Sequence, residues 1–266
     1  MTRRIRSGKV VHAERIVTGK AENQTPIFSD AMETVVFKPF WNVPESIKWK
    51  ELQPQLSRNP TALSRAGLRA SYNGREVDPE TVDWQTADMR AFHIFQPPST
   101  ANALGQVKFL FPNKHDVYMH DTPSKSLFNN PARAYSHGCM RVRDPLRFAE
   151  LLLSQDKGWD LARVQQLANA GPENNEIRLA KKVPIHITYF TTWVDDDGNL
   201  KTFNDIYNHE SKVLLGLEGK AHLIPQPREE KYQPVARGQV RFVEKGYGGS
   251  GGKNPLESWL KNVFNF

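Results

Sequence analysis

A cysteine attacks only as its thiolate, and a free thiol with a pKa of about 8.5 is mostly protonated at neutral pH. The chain has one cysteine, Cys139, within Tyr135-Ser-His-Gly-Cys-Met-Arg141, and a run ending in a second histidine, Asp116-Val-Tyr-Met-His120, precedes it. To be a nucleophile Cys139 needs an activating neighbour. The next helix signal, Asp144-Pro145 as N-cap and first helical residue, starts beyond Arg143, so a helix dipole is not aimed at the sulfur. An imidazole within hydrogen-bond reach is the remaining common route, and His120 and His137 are the candidates.

His137 lies two residues from Cys139, and in an extended segment both side chains leave on the same face, which permits contact but fixes little. His120 closes an alternating run that reads as a strand end. The loop that follows, from Asp121 to Tyr135, contains two prolines and two asparagines and is suited to folding back. Strand end and returning loop would then meet, which favours His120 as the base, paired with a thiolate whose pKa it lowers. Residue types alone also fit a buried cysteine beside structural histidines. A zinc site built from His115, His120, His137 and Cys139 matches no common module spacing, and Asp195-Asp-Asp-Gly198 lacks the twelve-residue calcium pattern, so no metal and no cofactor is expected.

The local sequence resembles the signature of the YkuD-type L,D-transpeptidases: a histidine, about fifteen residues, then Ser/Thr-His-Gly-Cys, a hydrophobic residue and Arg or Asn. His120, Ser136, His137, Gly138, Cys139, Met140 and Arg141 match it residue for residue. Trp41-Asn-Val-Pro44, Val77 to Trp84, Asn102 to Asn113 and Met119 to Lys125 are further similar to the larger, YcbB-like proteobacterial branch, with Gln96-Pro-Pro-Ser99 where that branch has Gln-x-Pro-Gly. The resemblance implies a β-rich fold, with mixed sheets in a sandwich, peripheral helices and an inserted capping subdomain. It also implies a peptidoglycan L,D-transpeptidase that acts on stem peptides, makes 3,3-crosslinks, accepts carbapenem-type inhibitors and resides in the periplasm. Cys139 would then be the nucleophile and His120 the base, oriented by a carbonyl near Asp121. Gly138, His137 and Tyr118 would serve the oxyanion, and Ser136 and Arg141 the substrate, although Arg141 fits a structural pair with a neighbouring acid equally well. An endopeptidase or a non-catalytic wall-binding module on the same fold are the alternatives.

With 266 residues, 38% apolar and 24% charged, the chain can bury one large core or two small ones. Its net charge of +7 fits an anionic partner such as a carboxylate-bearing polymer. The basic residues are scattered and form no recognition-helix, RNP or zinc-finger pattern, which speaks against nucleic acid. Met1-Thr-Arg-Arg-Ile-Arg6 is basic, yet charges follow where the apolar stretch of a signal peptide belongs, and no apolar run is long enough to span a bilayer. Given the exported family it resembles, the natural protein is expected to begin upstream.

The elements that must position the site read as follows. Val10 to Thr18 is an edge strand, and Thr34 to Phe40 is a second strand. Residues 42–90 read as an insertion, which the resemblance implies is the capping subdomain, with helical pieces at Ser46 to Leu56 and Thr61 to Ala66 and a turn at Asn73-Gly74; Trp41, Trp49, Tyr72 and Trp84 read as a small core of its own, with ligand contact as the alternative. Arg90 to Phe95 and Gln106 to Phe111 are strands flanking the one that ends at His120. Helices follow at Asp144 to Gln155 and Trp159 to Ala170, then strands at Ile177 to Leu179 and Val183 to Trp193, where His186 is structural. The catalytic domain is thus residues 1–215. Residues 216–266 are a polar extension with a Gly-rich linker, Gly246 to Gly252, and an amphipathic end, Pro255 to Phe266.

Overall fold

A computed structural model describes residues 1–195, 197–224 and 240–243. It is β-rich, and its centre is a seven-stranded mixed sheet in the spatial order Ala134–Ser136, Ile16–Gly19, Met140–Val142, Met119–His120, Val107–Leu110, Phe28–Phe37 and Asn175–Ile187. Two pairings are parallel, Met119–His120 with Met140–Val142 and Ala134–Ser136 with Ile16–Gly19. Parallel neighbours require a crossover rather than a hairpin. The loop after His120 supplies it, so the histidine and cysteine segments come to lie side by side.

One face of this sheet is packed by two helices, Pro145–Lys157 and Leu161–Ala170. Asp144 and Asp160 cap them through bonds from the Arg147 and Arg163 amides, and Gly158 ends the first in the left-handed region that suits glycine. Phe148, Leu152, Leu153, Val164 and Leu167 meet Val35, Phe37, Phe109, Met119 and Met140 in one buried cluster. Truncating a buried aromatic such as Phe109 to alanine in such a core costs about 3–5 kcal/mol.

The inserted segment, expected to be the cap and so called below, has its own core. Trp41, Leu52, Leu56, Leu63, Trp84, Phe92 and Ile94 are buried together, and the indole of Trp84 donates to the Pro79 carbonyl at 2.7 Å. Trp49 does not join them and is 47% exposed. The strand Phe92–Gln96 belongs to the cap as well. It pairs with Trp41–Asn42 and Arg69–Tyr72 in a separate four-stranded sheet, so it does not flank the histidine strand, whose other neighbour is Met140–Val142. Phe92 and Ile94 fill the cap core, and the chain leaves that core only after Leu104. Asn102, fully buried, closes this return by donating to the carbonyls of Pro39, Gln96 and Pro97.

Two other expectations are corrected. The segment Val10 to Thr18 is two strands: Lys9–Glu14 pairs with Thr2–Arg6 in a hairpin, and Ile16–Gly19 lies inside the main sheet. The last strand ends at Ile187, and Trp193 sits instead in a small hairpin, Thr192–Val194 with Leu200–Thr202, turned by Asp195, whose carboxylate accepts the Asp197 and Asn199 amides. Part of the C-terminal extension is attached to the cap, since Val243 donates to the Thr81 carbonyl and Asp83 to that of Arg241. The linker Gly246 to Gly252 and the segment Pro255 to Phe266 lie outside the described residues.

Candidate active site

In a parallel strand pair, residues opposite one another point to the same face, and so do residues two apart. Met119 lies opposite Met140 and His120 opposite Arg141, and the Met140 amide donates to the Tyr118 carbonyl at 3.0 Å. Tyr118, His120, Cys139 and Arg141 therefore share one face, with Met119 and Met140 in the core beneath. Cys139 and His120 stand on a diagonal of this quartet. The Tyr118 ring lies 5.7 Å from that of His120 and packs against the cap core, and its amide and hydroxyl favour the anionic form of the neighbouring Cys139 sulfur.

His120 is buried, and its Nδ1 meets the backbone carbonyl of Asp121. A carbonyl only accepts, so Nδ1 carries the proton and Nε2 presents its lone pair. The peptide that holds the ring is itself held. The Asp121 carboxylate accepts the Thr122 amide at 2.7 Å and the Gln106 amide at 2.9 Å, and it pairs with Lys125. Gly105 is required here: its φ is +59°, and a Cβ would stand 2.3 Å from the Asp121 carboxylate.

Burial sets the charge state of the pair. It pushes the Cys139 thiol up to about 11 against the opposing pull of the Tyr118 amide, the Arg141 charge and the Tyr118 hydroxyl. His120 is pushed down to about 3, by burial first and then by the guanidinium of Arg141. Burial thus disfavours the charged form of each group and opposes the thiolate–imidazolium pair expected from residue types. Tyr118 is held well above its usual range, by burial and by the sulfur next to it, and so remains a hydrogen-bond donor.

Four other residues singled out in the sequence are placed differently. His137 turns to the cap, where its Nε2 lies 2.9 Å from Glu51. Glu51 belongs to a single π-helical turn, Lys48–Leu52, whose Lys48 is buried and donates to the Phe92 carbonyl at 2.8 Å. Ser136 is buried and closes the turn around the cysteine: its hydroxyl donates to the Cys139 carbonyl at 2.5 Å and accepts the Gly138 amide at 3.2 Å. Contact with substrate is therefore not its role in this arrangement, and the Gly138 amide is already engaged. Gly138 has φ +110°, a region that a side chain would strain. Arg141 is 2% exposed, with its pKa lowered to about 10 by burial, so it acts on the pair from the floor of the site rather than meeting a carboxylate at the surface.

One face of the mixed sheet thus carries a thiol, an imidazole, a phenol and a guanidinium, and Tyr118 and His137 link it to the four-stranded unit. Residues 1–172 match the YkuD family, the L,D-transpeptidase catalytic domain, and the chain belongs to that family. Over 211 residues it is 29% identical to a Haemophilus influenzae protein provisionally named an L,D-transpeptidase, which covers 79% of this chain. The chain spans 42% of the length of that relative. Among the described residues no helix is long and apolar enough to cross a membrane.

Residue types and spacing missed Glu51, Thr25 and Tyr207. Thr25 donates to the Gly138 carbonyl at 2.8 Å, and Tyr207 donates to the Gly19 carbonyl at 2.5 Å. All three lie far from the cysteine segment in sequence and are ordinary there; nothing short of the pairing of Ile16–Gly19 with Ala134–Ser136 brings Thr25 to the site.

Proposed function

We propose that the chain is a peptidoglycan L,D-transpeptidase, periplasmic and of the YcbB-like branch, with Cys139 as its nucleophile. The observation that carries this reading is the fixed tautomer of His120, whose Nε2 lone pair shares a face with the Cys139 thiol in a chain of this family. Cys139 Sγ attacks the carbonyl of the amide that follows the third residue of a tetrapeptide stem. His120 Nε2 takes the thiol proton as the S–C bond forms and returns it to the leaving nitrogen as the C–N bond breaks, releasing D-alanine. The thioester is resolved by a second stem's amine, which loses its proton to His120; the S–C bond breaks and the proton returns to sulfur. Because burial disfavours both charged forms, proton transfer accompanies attack instead of preceding it.

The Cys139 amide and the Tyr118 hydroxyl are the donors for the oxyanion, and the Arg141 charge favours the sulfur's anionic form. The cap binds the donor stem and communicates with the site through Glu51 and His137. Incubation with purified sacculi followed by mass spectrometry of the muropeptides tests this. New 3,3-crosslinks are expected; lost crosslinks would make the protein an endopeptidase, and retention on sacculi without chemistry a wall-binding module.

A further inference from the structure

Thr25 is buried, and its hydroxyl has two partners: it accepts the Gly19 amide at 2.9 Å and donates to the Gly138 carbonyl at 2.8 Å. The loop that carries it lies against the turn before the cysteine. The Lys20 amide donates to the Ser136 carbonyl at 2.9 Å, and the Asn23 and Gln24 carbonyls are the backbone neighbours that a Cβ on Gly138 would meet. Tyr207, also buried, locks the base of this loop, donating to the Gly19 carbonyl at 2.5 Å and accepting the Thr25 amide at 3.3 Å. Gly19 has no room for a side chain, because a Cβ would stand 1.9 Å from the Asn23 carbonyl.

The Gly138 carbonyl and the Cys139 amide belong to one planar trans peptide, so they point in opposite directions. Whatever holds the carbonyl also aims the amide. We propose that Thr25 is a positioning residue for acyl transfer: through the Gly138 carbonyl it turns the Cys139 amide away from the buried side and towards the oxyanion that forms on the attacked carbonyl. Ser136 does the same for the next peptide by donating to the Cys139 carbonyl, so the nucleophile sits between two pinned peptide planes. The inference rests on Cys139 being the acyl-forming nucleophile.

The test compares Thr25→Val, which keeps the shape and loses the hydroxyl, with Thr25→Ser, which keeps the hydroxyl. Two probes are used: a carbapenem, whose ring opening passes through an oxyanion, and iodoacetamide, whose displacement at sulfur does not. Direct loss of an oxyanion donor costs about 100-fold to 1,000-fold, and a misdirected donor less, so Thr25→Val should slow carbapenem acylation about tenfold or more while alkylation stays at the wild-type rate. Thr25→Ser should restore acylation, and the thioester carbonyl stretch of the Thr25→Val adduct should rise as its carbonyl is less polarised. If Thr25→Val does not fold, Thr25→Ala is read by the same criteria. Acylation at the wild-type rate, or acylation and alkylation falling together, would overturn the proposal. A wild-type protein that is alkylated but never acylated would refute the acyl-transfer reading beneath it.

Discussion

The Tyr118 hydroxyl favours the thiolate of the neighbouring Cys139, and the size of the effect of its removal follows from the worth of a hydrogen bond to a charged group. A hydrogen bond to a charged group is worth about 1.5–3 kcal/mol, and about 1.36 kcal/mol corresponds to one pKa unit, so Tyr118→Phe should raise the thiol pKa by about one to two. At a pH below that pKa the thiolate population falls by about 10-fold to 100-fold. The more basic thiolate is also more nucleophilic, with a Brønsted slope of about 0.4–0.5, which returns roughly 3-fold to 10-fold. The net expectation is alkylation by iodoacetamide at pH 8 slowed by about 3-fold to 15-fold. The ring itself stays packed against the cap core, so the melting temperature should hardly move. Stopped samples analysed by intact mass give the rates directly. An unchanged or faster rate in Tyr118→Phe would show that the hydroxyl does not stabilise the thiolate and would remove it from the oxyanion site.

His120→Ala should lower the rate of carbapenem acylation by about 100-fold to 10,000-fold, the usual loss of a general base. The alkylation midpoint should lie above the free-thiol value of about 8.5 in both wild type and mutant, because burial, and not an ion pair, sets it; a wild-type midpoint below 8.5 would show that an ion pair sets it instead. The folded-state pKa of His120, about 3, lies below the unfolded value of about 6.5, so its contribution to stability is present above pH 6.5 and lost as pH falls towards 3. Urea unfolding of His120→Gln should accordingly lose less stability between pH 7 and pH 4 than wild type does. Glu51→Ala should reduce crosslinking of sacculi while leaving iodoacetamide alkylation unchanged, since it breaks the bond between cap and His137 and touches neither Tyr118 nor His120; parallel loss in both assays would make the contact a fold element only.

What the sequence disclosed follows from what is local. The alternation ending at His120 and the Asp144-Pro145 cap are short-range signals, and the structure has a strand and a helix start at those places. The hairpin at Thr2–Arg6 also has a local signal, Ser7-Gly8, where both residues take positive φ as the tight hairpin turn requires, although the basic residues around it give the strands no apolar alternation. Trp49 shows the limit of composition, since an aromatic in a helical segment reads as core until the face it occupies is known. Phe92–Gln96 was legible as a strand but not as a member of the cap sheet, because strand partners are chosen by long-range packing. The charge state of the site was illegible for the same reason: residue types imply an ion pair, whereas the depth at which the tertiary structure sets Cys139 and His120 opposes both charges.

The central claim is that Cys139 carries the acyl group. Mixing the protein with a purified tetrapeptide donor and no acceptor amine, then combining intact mass, peptide mapping and a free D-alanine assay, tests it most directly. One acyl adduct per chain, mapped to Cys139, is expected to appear with one equivalent of D-alanine and to be absent from Cys139→Ala. Release of D-alanine by Cys139→Ala, or an adduct mapped to any other residue, would contradict it.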